Sequence, residues 1–235
     1  MDFKITRGQR YRVRVSEKET EAVKIAVFNL ETDLAKVLGG TPAPEGEAFV
    51  PEILAGTLGC SEEIGAYIDS SRLQDEDGNL RKEAYIQCVR GGRLVIAGTD
   101  RRGTIYGIYT FCEAIGVSPW YFWADVPVKQ KEEIRLPEGY DKTDYPSVEY
   151  RGIFINDEEE LEDWVKKHMG EPTIGVKTYE KVFELLLRLK GNYIWPAMHV
   201  NSFNQKRENG ALADRMGIVV GTSHCDMLMR SNNRE

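Results

Sequence analysis

The sequence predicts an α/β protein in which a small N-terminal α/β domain precedes the first three β/α units of an incomplete (β/α)₈ TIM barrel. Three observations support this prediction. Strand-like and helix-like runs alternate along the chain. Between about 127 and 147 the composition shifts to charged residues and prolines, which is typical of a domain boundary. Three apolar runs beyond residue 147 each end in polar side chains. The domains are therefore expected at 1–145 and 146–235.

Composition restricts the class of protein. The 235 residues carry a net charge of −7, and lysine and arginine are scattered, so a nucleic-acid partner is not expected. No apolar run approaches the roughly 20 residues that span a bilayer, so no membrane partner is expected. The N-terminus lacks the apolar segment of a secretory signal, and the four cysteines form no CxxC pair. We expect a cytoplasmic protein without disulfides.

The N-terminal half mixes strands and helices. The run 23–30, VKIAVFNL, is interpreted as a strand, followed by a helix that ends at Gly39. The segment 61–70 is predicted as a helix with Ser61 as its N-cap. YIQCV and RLVIAG flank an RGG turn, which indicates a β-hairpin. Apolar residues spaced by three and four then predict an amphipathic helix over 104–116.

The C-terminal half has the pattern of a parallel β/α fold. YRGIFIN, from residue 150, is a short apolar run of the kind buried on both faces of a parallel sheet. A helix over 178–191, a strand in NYIWPAM, a helix around 211–217 and a strand in IVVGTSH follow. A complete barrel has eight such units, so three units predict either a small open sheet or part of a longer fold, and we favour the latter.

Polar residues follow each of the three predicted strands. Functional groups of parallel β/α folds collect beyond the C-terminal strand ends, so these residues are predicted to form one substrate-binding site. Asp157 and Glu158 equally suit the N-terminal turn of a helix, and Trp195 equally suits a core. His224, Cys225 and Asp226 lack a second group at ligand spacing, so no metal is expected. The predicted binding residues are Asn156, Asp157, Glu158, Trp195, His224 and Asp226.

Four stretches together resemble glycoside hydrolase family 115, the xylan α-1,2-glucuronidases. They are GTDRRGTIYGIYTFCEAIGVSPWYFWADVPV from residue 98, YRGIFINDEE from 150, YEKVFELLLRLKGNYIWPAM from 179 and GIVVGTSH from 217. Asn156, Asp157, Glu158 and His224 match the family pattern, whereas His199, Cys225 and Asp226 depart from it.

The resemblance implies an N-terminal α/β domain, a (β/α)₈ catalytic barrel and further domains. It also implies inverting removal of glucuronic acid, or its 4-O-methyl ether, from xylan or xylo-oligosaccharides without a cofactor. Glucuronoxylan or aldouronic oligosaccharides are thus the expected partners, and a homodimer is compatible with the complete protein. The catalytic carboxylates are expected beyond Glu235, so their identity is unknown.

Two other functions remain open at the level of sequence. One is a non-catalytic carbohydrate-binding or scaffold module, whose strand-end residues bind sugar without chemistry. The other is a different β/α-barrel glycosidase, such as a hexosaminidase-like enzyme with a similar domain order. Saturable oligosaccharide binding without hydrolysis would favour the first, and substrate profiling would identify the second.

Overall fold

The computed structural model describes residues 1–157, 159–223 and 227–230. The chain divides into two compact units, Met1–Ser147 and Val148–Glu235. Both units combine β-sheets with α-helices. No helix within the described residues is both long and apolar enough to span a bilayer.

Unit 1 is built around a five-stranded mixed sheet. The strand order is β2-β3-β5-β4-β7, in which β2, β3 and β5 are parallel and β4 and β7 run antiparallel to their neighbours. Strands β1 and β6 form a separate antiparallel pair. The elements are β1 Phe3–Thr6, β2 Arg12–Arg14, α1 Glu21–Leu38, β3 Glu52–Thr57, α2 Glu62–Gly65, β4 Tyr85–Arg90, β5 Arg93–Gly98, α3 Arg101–Ala114, β6 Glu133–Leu136 and β7 Asp141–Asp144.

Both faces of this sheet are covered, which explains its continuous apolar strands. Helix α3 packs against β3, β4 and β5 and also against α1. Asp100 caps α3, since its Oδ1 accepts hydrogen bonds from the backbone N–H groups of Arg102 and Gly103, both at 2.9 Å. Ile64 of α2 and Leu73 belong to a core cluster that includes Leu54, Ile86 and Val95 of the sheet. The predicted hairpin and the predicted helix over 104–116 are thereby confirmed as β4–β5 and α3.

Two local predictions in unit 1 are wrong. The run 23–30 is part of helix α1, because Val23, Ala26, Leu30 and Leu34 are buried at helical spacing. Its β-branched residues favoured a strand locally, but packing against α3 overrides that preference. The helix predicted over 61–70 is only the four-residue α2.

Asp141 supports a prediction on pH dependence in unit 1. Partial burial alone would raise its pKa, but hydrogen bonds from Arg72 and Arg90, the latter at 2.8 Å, outweigh that effect and lower it. Because the pKa is lower in the folded state, the stabilisation is complete above the unfolded pKa of about 4 and is lost as pH falls through the folded value.

We therefore expect Asp141→Asn to lower the free energy of unfolding by about 0.5–1 kcal/mol at pH 7, given solvent screening, and by less at pH 3. Denaturant unfolding between pH 3 and pH 7 measures this difference. Asp77→Asn is the matched control, since Asp77 is exposed and has no ion pair among the described residues. An equal effect of Asp141→Asn at both pH values would contradict the prediction.

Unit 2 contains a three-stranded parallel sheet in the order β10-β9-β8. Helices lie between the strands along the chain, so the predicted strand–helix–strand–helix–strand order is confirmed. The elements are β8 Gly152–Phe154, α4 Glu159–His168, α5 Val176–Arg188, β9 Tyr193–Trp195, α6 Arg207–Met216 and β10 Val219–Val220.

The core of unit 2 lies on the side of α5. Tyr179 and Phe183 of this helix are fully buried, and Phe203 packs edge-on against Tyr179 with ring centroids 4.8 Å apart. Helix α5 packs against α6, and Ile194 at the centre of the sheet is fully buried. The helix predicted over 178–191 is therefore confirmed as α5, and its buried apolar residues form this core.

Strand β8 differs from its predicted environment. The sequence predicted a strand buried on both faces, but all three residues of β8 are exposed, with Ile153 at 42% and Phe154 at 47%. The physical reason is its position, since among the described residues β8 pairs only with β9 and is the edge of the sheet. An apolar edge strand is thus open to solvent in this structure.

Candidate functional site

The ends of β8 and β9 lie side by side. The two strands are parallel, and Phe154 is in register with Trp195. The residues that follow both strands therefore emerge at the same edge of the sheet, as in other parallel β/α folds. They line one side of a cleft of about 670 Å³, whose remaining walls come from α4 and the segment before α5. The lining residues are Asp157, Glu159, Glu162, Asp163, Lys166, Pro172, Thr173, Val200, Asn201, Ser202, Gln205 and Lys206.

Asp157 ties the loop after β9 to the end of β8. Its side chain is buried, at 1% exposure. One carboxylate oxygen accepts a hydrogen bond from the backbone N–H of His199 at 3.2 Å, and the other accepts from the backbone N–H of Asn201. A carboxylate held by two backbone donors positions the loop strongly, because such charge-assisted bonds are stronger than neutral ones. Asp157 thus lines the cleft and also holds its shape.

A series of side-chain hydrogen bonds connects the loop after β9 to the opposite wall of the cleft. Asn201 Nδ2 donates to the hydroxyl of Thr173 at 2.9 Å and to the carbonyl of Ile174 at 2.7 Å. The Thr173 hydroxyl donates in turn to Glu162 Oε1 at 2.8 Å. Asn201 Oδ1 is buried and accepts no hydrogen bond within the described residues. An unfilled acceptor beside a polar cleft suits a hydroxyl-bearing ligand or a water molecule.

Trp195 lies on an aromatic face of the sheet rather than in the cleft lining. Its side chain is 42% exposed, and its Nε1–H donates to the hydroxyl of Tyr193 at 3.0 Å. Gly221 leaves space for this pair, since a Cβ there would lie 1.7 Å from the Tyr193 hydroxyl. The indole is therefore fixed at its N–H end while much of its surface is open, an arrangement that suits stacking on a sugar ring.

The other predicted binding residues have different positions. Asn156 is exposed at the end of β8. Glu158, His224 and Asp226 lie outside the described residues. The structure thus brings Asp157 into the cleft and Trp195 onto the neighbouring sheet face. Glu162, Thr173 and Asn201 were not selected from the sequence, because nothing in their spacing shows that their side chains meet.

The cleft is rich in groups that bind hydroxyls. Carboxylates of four residues and the amines of two lysines line it. Lys166 pairs with Asp163 at 3.2 Å, and Lys206 Nζ donates to the carbonyl of Ile174 at 3.4 Å. Among the described residues, no three His, Cys, Asp or Glu side chains are grouped so as to hold a metal ion. Carboxylates with hydroxyls and amides are the donors and acceptors that orient a polar ligand such as a sugar.

Comparison with known proteins identifies relatives among glycoside hydrolases. The family model described as glycosyl hydrolase family 115 matches residues 143–235. A solved structure, described as a novel family GH115 4-O-methyl-α-glucuronidase with specificity for decorated arabinogalactans, matches 95% of this chain at 39% identity and a TM-score of 0.85. A GH138 enzyme targeting pectin rhamnogalacturonan II matches 89% of the chain at 12% identity and a TM-score of 0.53, a likeness of fold alone.

The similarity extends along nearly the whole chain but covers only part of each relative. The chain spans 30% of the length of both solved proteins. The family model covers the segment that contains the strand ends and the cleft, and the first relative covers both units. The chain belongs to glycosyl hydrolase family 115.

Proposed function

We propose that the chain is part of a glycoside hydrolase that removes glucuronic acid, or its 4-O-methyl ether, from xylan or xylo-oligosaccharides. The observation that carries this proposal is the 39% identity, over 95% of the chain, to a structure described as a 4-O-methyl-α-glucuronidase. The polar cleft beside the ends of β8 and β9 is consistent with a carbohydrate ligand. The chain contributes one wall of the substrate site, in which Trp195 stacks on a sugar ring. Asn156 and His224 bind hydroxyls or the uronate carboxylate, and Glu158 and Asp226 accept hydrogen bonds from hydroxyls.

Unit 2 is proposed to be the beginning of a (β/α)₈ barrel, with the domain boundary near residue 145. Its parallel strands are adjacent in chain order, which is how such a barrel starts. The exposed apolar side chains of Ile153 and Phe154 support this proposal. In a closed barrel a further strand pairs with the open edge of β8, and the apolar surface is removed from water.

The hydrolysis is proposed to proceed with inversion. Inversion needs a general acid and a general base about 6.5–9.5 Å apart, with a water molecule between the base and the sugar. Asp157 is poorly suited to either role, since both of its oxygens accept backbone hydrogen bonds. The acid and base are proposed to lie on other strands of the complete barrel, and the 235 residues alone are expected to be catalytically silent.

The test is an assay of the complete protein on glucuronoxylan, aldouronic oligosaccharides and decorated arabinogalactan. Arabinogalactan is included because the related glucuronidase has specificity for it. We expect release of uronic acid, with the inverted anomer as first product in proton NMR. A retained anomer would exclude inversion. Release of uronic acid by the 235 residues alone would exclude a catalytic pair elsewhere.

The same assay separates the alternative functions. A carbohydrate-binding module would bind the oligosaccharides but release nothing even as the complete protein. One observation favours such a module: Asp157, a carboxylate of the described cleft, is held by two backbone hydrogen bonds and so has a structural role, not a catalytic one. A hexosaminidase-like enzyme would instead release N-acetylhexosamine from a matching substrate and leave uronic acids in place.

A further inference from the structure

Unit 1 contains a cleft of its own. It has a volume of about 640 Å³ and is formed by the loop before β3, the turn between β4 and β5, and the start of the chain. Its lining includes Lys4, Gln9, Arg12, Phe49, Glu52 and Arg93. Neither the predicted hydrolysis nor the predicted binding residues make use of this cleft. The charged and aromatic side chains that line it are therefore considered as a separate site.

Most charges that line this cleft are neutralised by ion pairs. The carboxylates that line it each have a cationic partner, and so has the lysine. The pairs are Asp2 with Arg135 at 2.6 Å, Glu47 with Arg10 at 2.9 Å, Glu52 with Arg93 at 2.5 Å, and Lys4 with Glu133 at 2.6 Å. These groups cancel one another and leave little net charge for a ligand.

Arg12 is the exception among the lining cations. Its Nη2 donates to the carbonyl oxygens of Glu47 at 2.7 Å and Pro44 at 3.3 Å. Among the described residues, no carboxylate lies within ion-pair distance of this guanidinium. The two carbonyls hold its plane in place without neutralising its charge. A positioned guanidinium with an uncompensated charge is a suitable partner for a carboxylate, which it binds by charge-assisted hydrogen bonds.

Phe49 supplies the apolar part of the cleft. Its side chain is fully exposed, although a ring of this size is normally buried at least in part. Its backbone has a φ of 61°, which is unusual for a bulky residue and holds the ring out from the loop. An exposed flat ring beside polar side chains provides the stacking surface that the apolar face of a sugar needs.

We propose that this cleft is a second carbohydrate-binding site, which takes an oligosaccharide that bears a uronic acid. Phe49 stacks on a sugar ring, and Arg12 binds the uronate carboxylate. Phe49 and Arg12 indicate that the ligand contains an anionic sugar ring. The choice of a uronate-bearing xylo-oligosaccharide as that ligand rests on the proposed function. Such a site would hold the polymer on unit 1 while the strand-end site acts on one of its side groups, and thus raise the local substrate concentration.

The test is isothermal titration calorimetry of the 235-residue chain with xylotetraose that carries one 4-O-methylglucuronate. Phe49→Ala and Arg12→Gln are each expected to raise the Kd at least about tenfold, as for the loss of a stacked ring or a charge-assisted bond. Neutral xylotetraose is expected to bind wild type at least about tenfold more weakly. Phe28→Ala is the matched control, since Phe28 is also an exposed phenylalanine of unit 1, at 67%, and should leave the Kd unchanged.

Unchanged binding by both cleft variants would overturn the proposal, and so would equal binding of neutral and acidic oligosaccharides. Arg12→Gln also removes hydrogen bonds within the loop, so Phe49→Ala, whose exposed ring supports no packing, decides the result if Arg12→Gln fails to fold. Trp195→Ala distinguishes the sites, because loss of all binding in that variant alone would assign the ligand to the strand ends and exclude the cleft. Uronic acid release by the complete protein tests the proposed function separately. If the complete protein releases uronic acid but Phe49→Ala binds the oligosaccharide as wild type does, the second binding site is excluded and the proposed function stands.

Discussion

Replacing Gly152 with alanine is expected to lower the free energy of unfolding of unit 2 by about 3 kcal/mol or more. Gly152 lies in β8, opposite Tyr193 of β9. A Cβ at this position would lie 1.9 Å from the carbonyl oxygen of Tyr193 and 2.9 Å from its Cβ. The clash involves backbone atoms, so no side-chain rotation relieves it. The strands must move apart, which breaks the pairing that aligns their C-terminal ends.

Gly210→Ala is the matched control for this substitution. Gly210 lies in α6 of the same unit, and a Cβ there would meet nothing within 4 Å. Alanine at this exposed helical position should stabilise the unit by about 0.5–1 kcal/mol. Denaturant unfolding, with hydrogen exchange of 150–156 and 192–198, measures both effects. Equal stability of the two variants would mean that β8 does not pair closely with β9 at Gly152.

The second large effect is expected for Asp157→Asn. In the wild type, the two carboxylate oxygens accept from the backbone N–H groups of His199 and Asn201. The amide has the size of the carboxylate but replaces one of these acceptors with an NH₂ donor. One of the two backbone N–H groups then loses its acceptor and faces another donor. We expect a loss of about 2–4 kcal/mol and faster hydrogen exchange over residues 199–202.

Glu160→Gln is the control for the change from carboxylate to amide. Glu160 is exposed near the start of α4, only three residues along the chain from Asp157. Its replacement should change the free energy of unfolding by less than about 0.5 kcal/mol. If Asp157→Asn were as mild as Glu160→Gln, the carboxylate would not hold the loop after β9, and a role in ligand binding would become the better explanation of its position.

Elements with a strong local pattern could be predicted from the sequence. The β4–β5 hairpin was predicted from its glycine turn, and α3 from apolar residues spaced by three and four. The run 23–30 favours a strand in the sequence but is helical, because a helix that packs against another helix is rich in apolar residues and resembles a buried strand over eight positions. The exposure of β8 depends on which strand pairs with its outer edge, and this is not a local property.

The candidate site was predictable only in part. Parallel strands place the residues that follow them at the same edge of the sheet. The sequence therefore predicts that polar residues gather beyond β8 and β9, where the cleft at Asp157 lies. The chain of hydrogen bonds from Glu162 through Thr173 to Asn201 was not, because it depends on the paths of two loops. The exposure of Phe49 was equally hidden, since an isolated phenylalanine in a sequence normally indicates core.

The central claim is that the strand ends of unit 2 form one wall of the substrate site, and Trp195→Ala in the complete protein tests it most directly. Trp120→Ala is the control, since Trp120 lies in unit 1 and is similarly exposed, at 45% against 42% for Trp195. We predict that Trp195→Ala lowers kcat/KM for uronic acid release from an aldouronic oligosaccharide at least about tenfold, while the melting temperature stays within about 3 °C. Values of kcat/KM that agree within about twofold for wild type, Trp195→Ala and Trp120→Ala would contradict the claim.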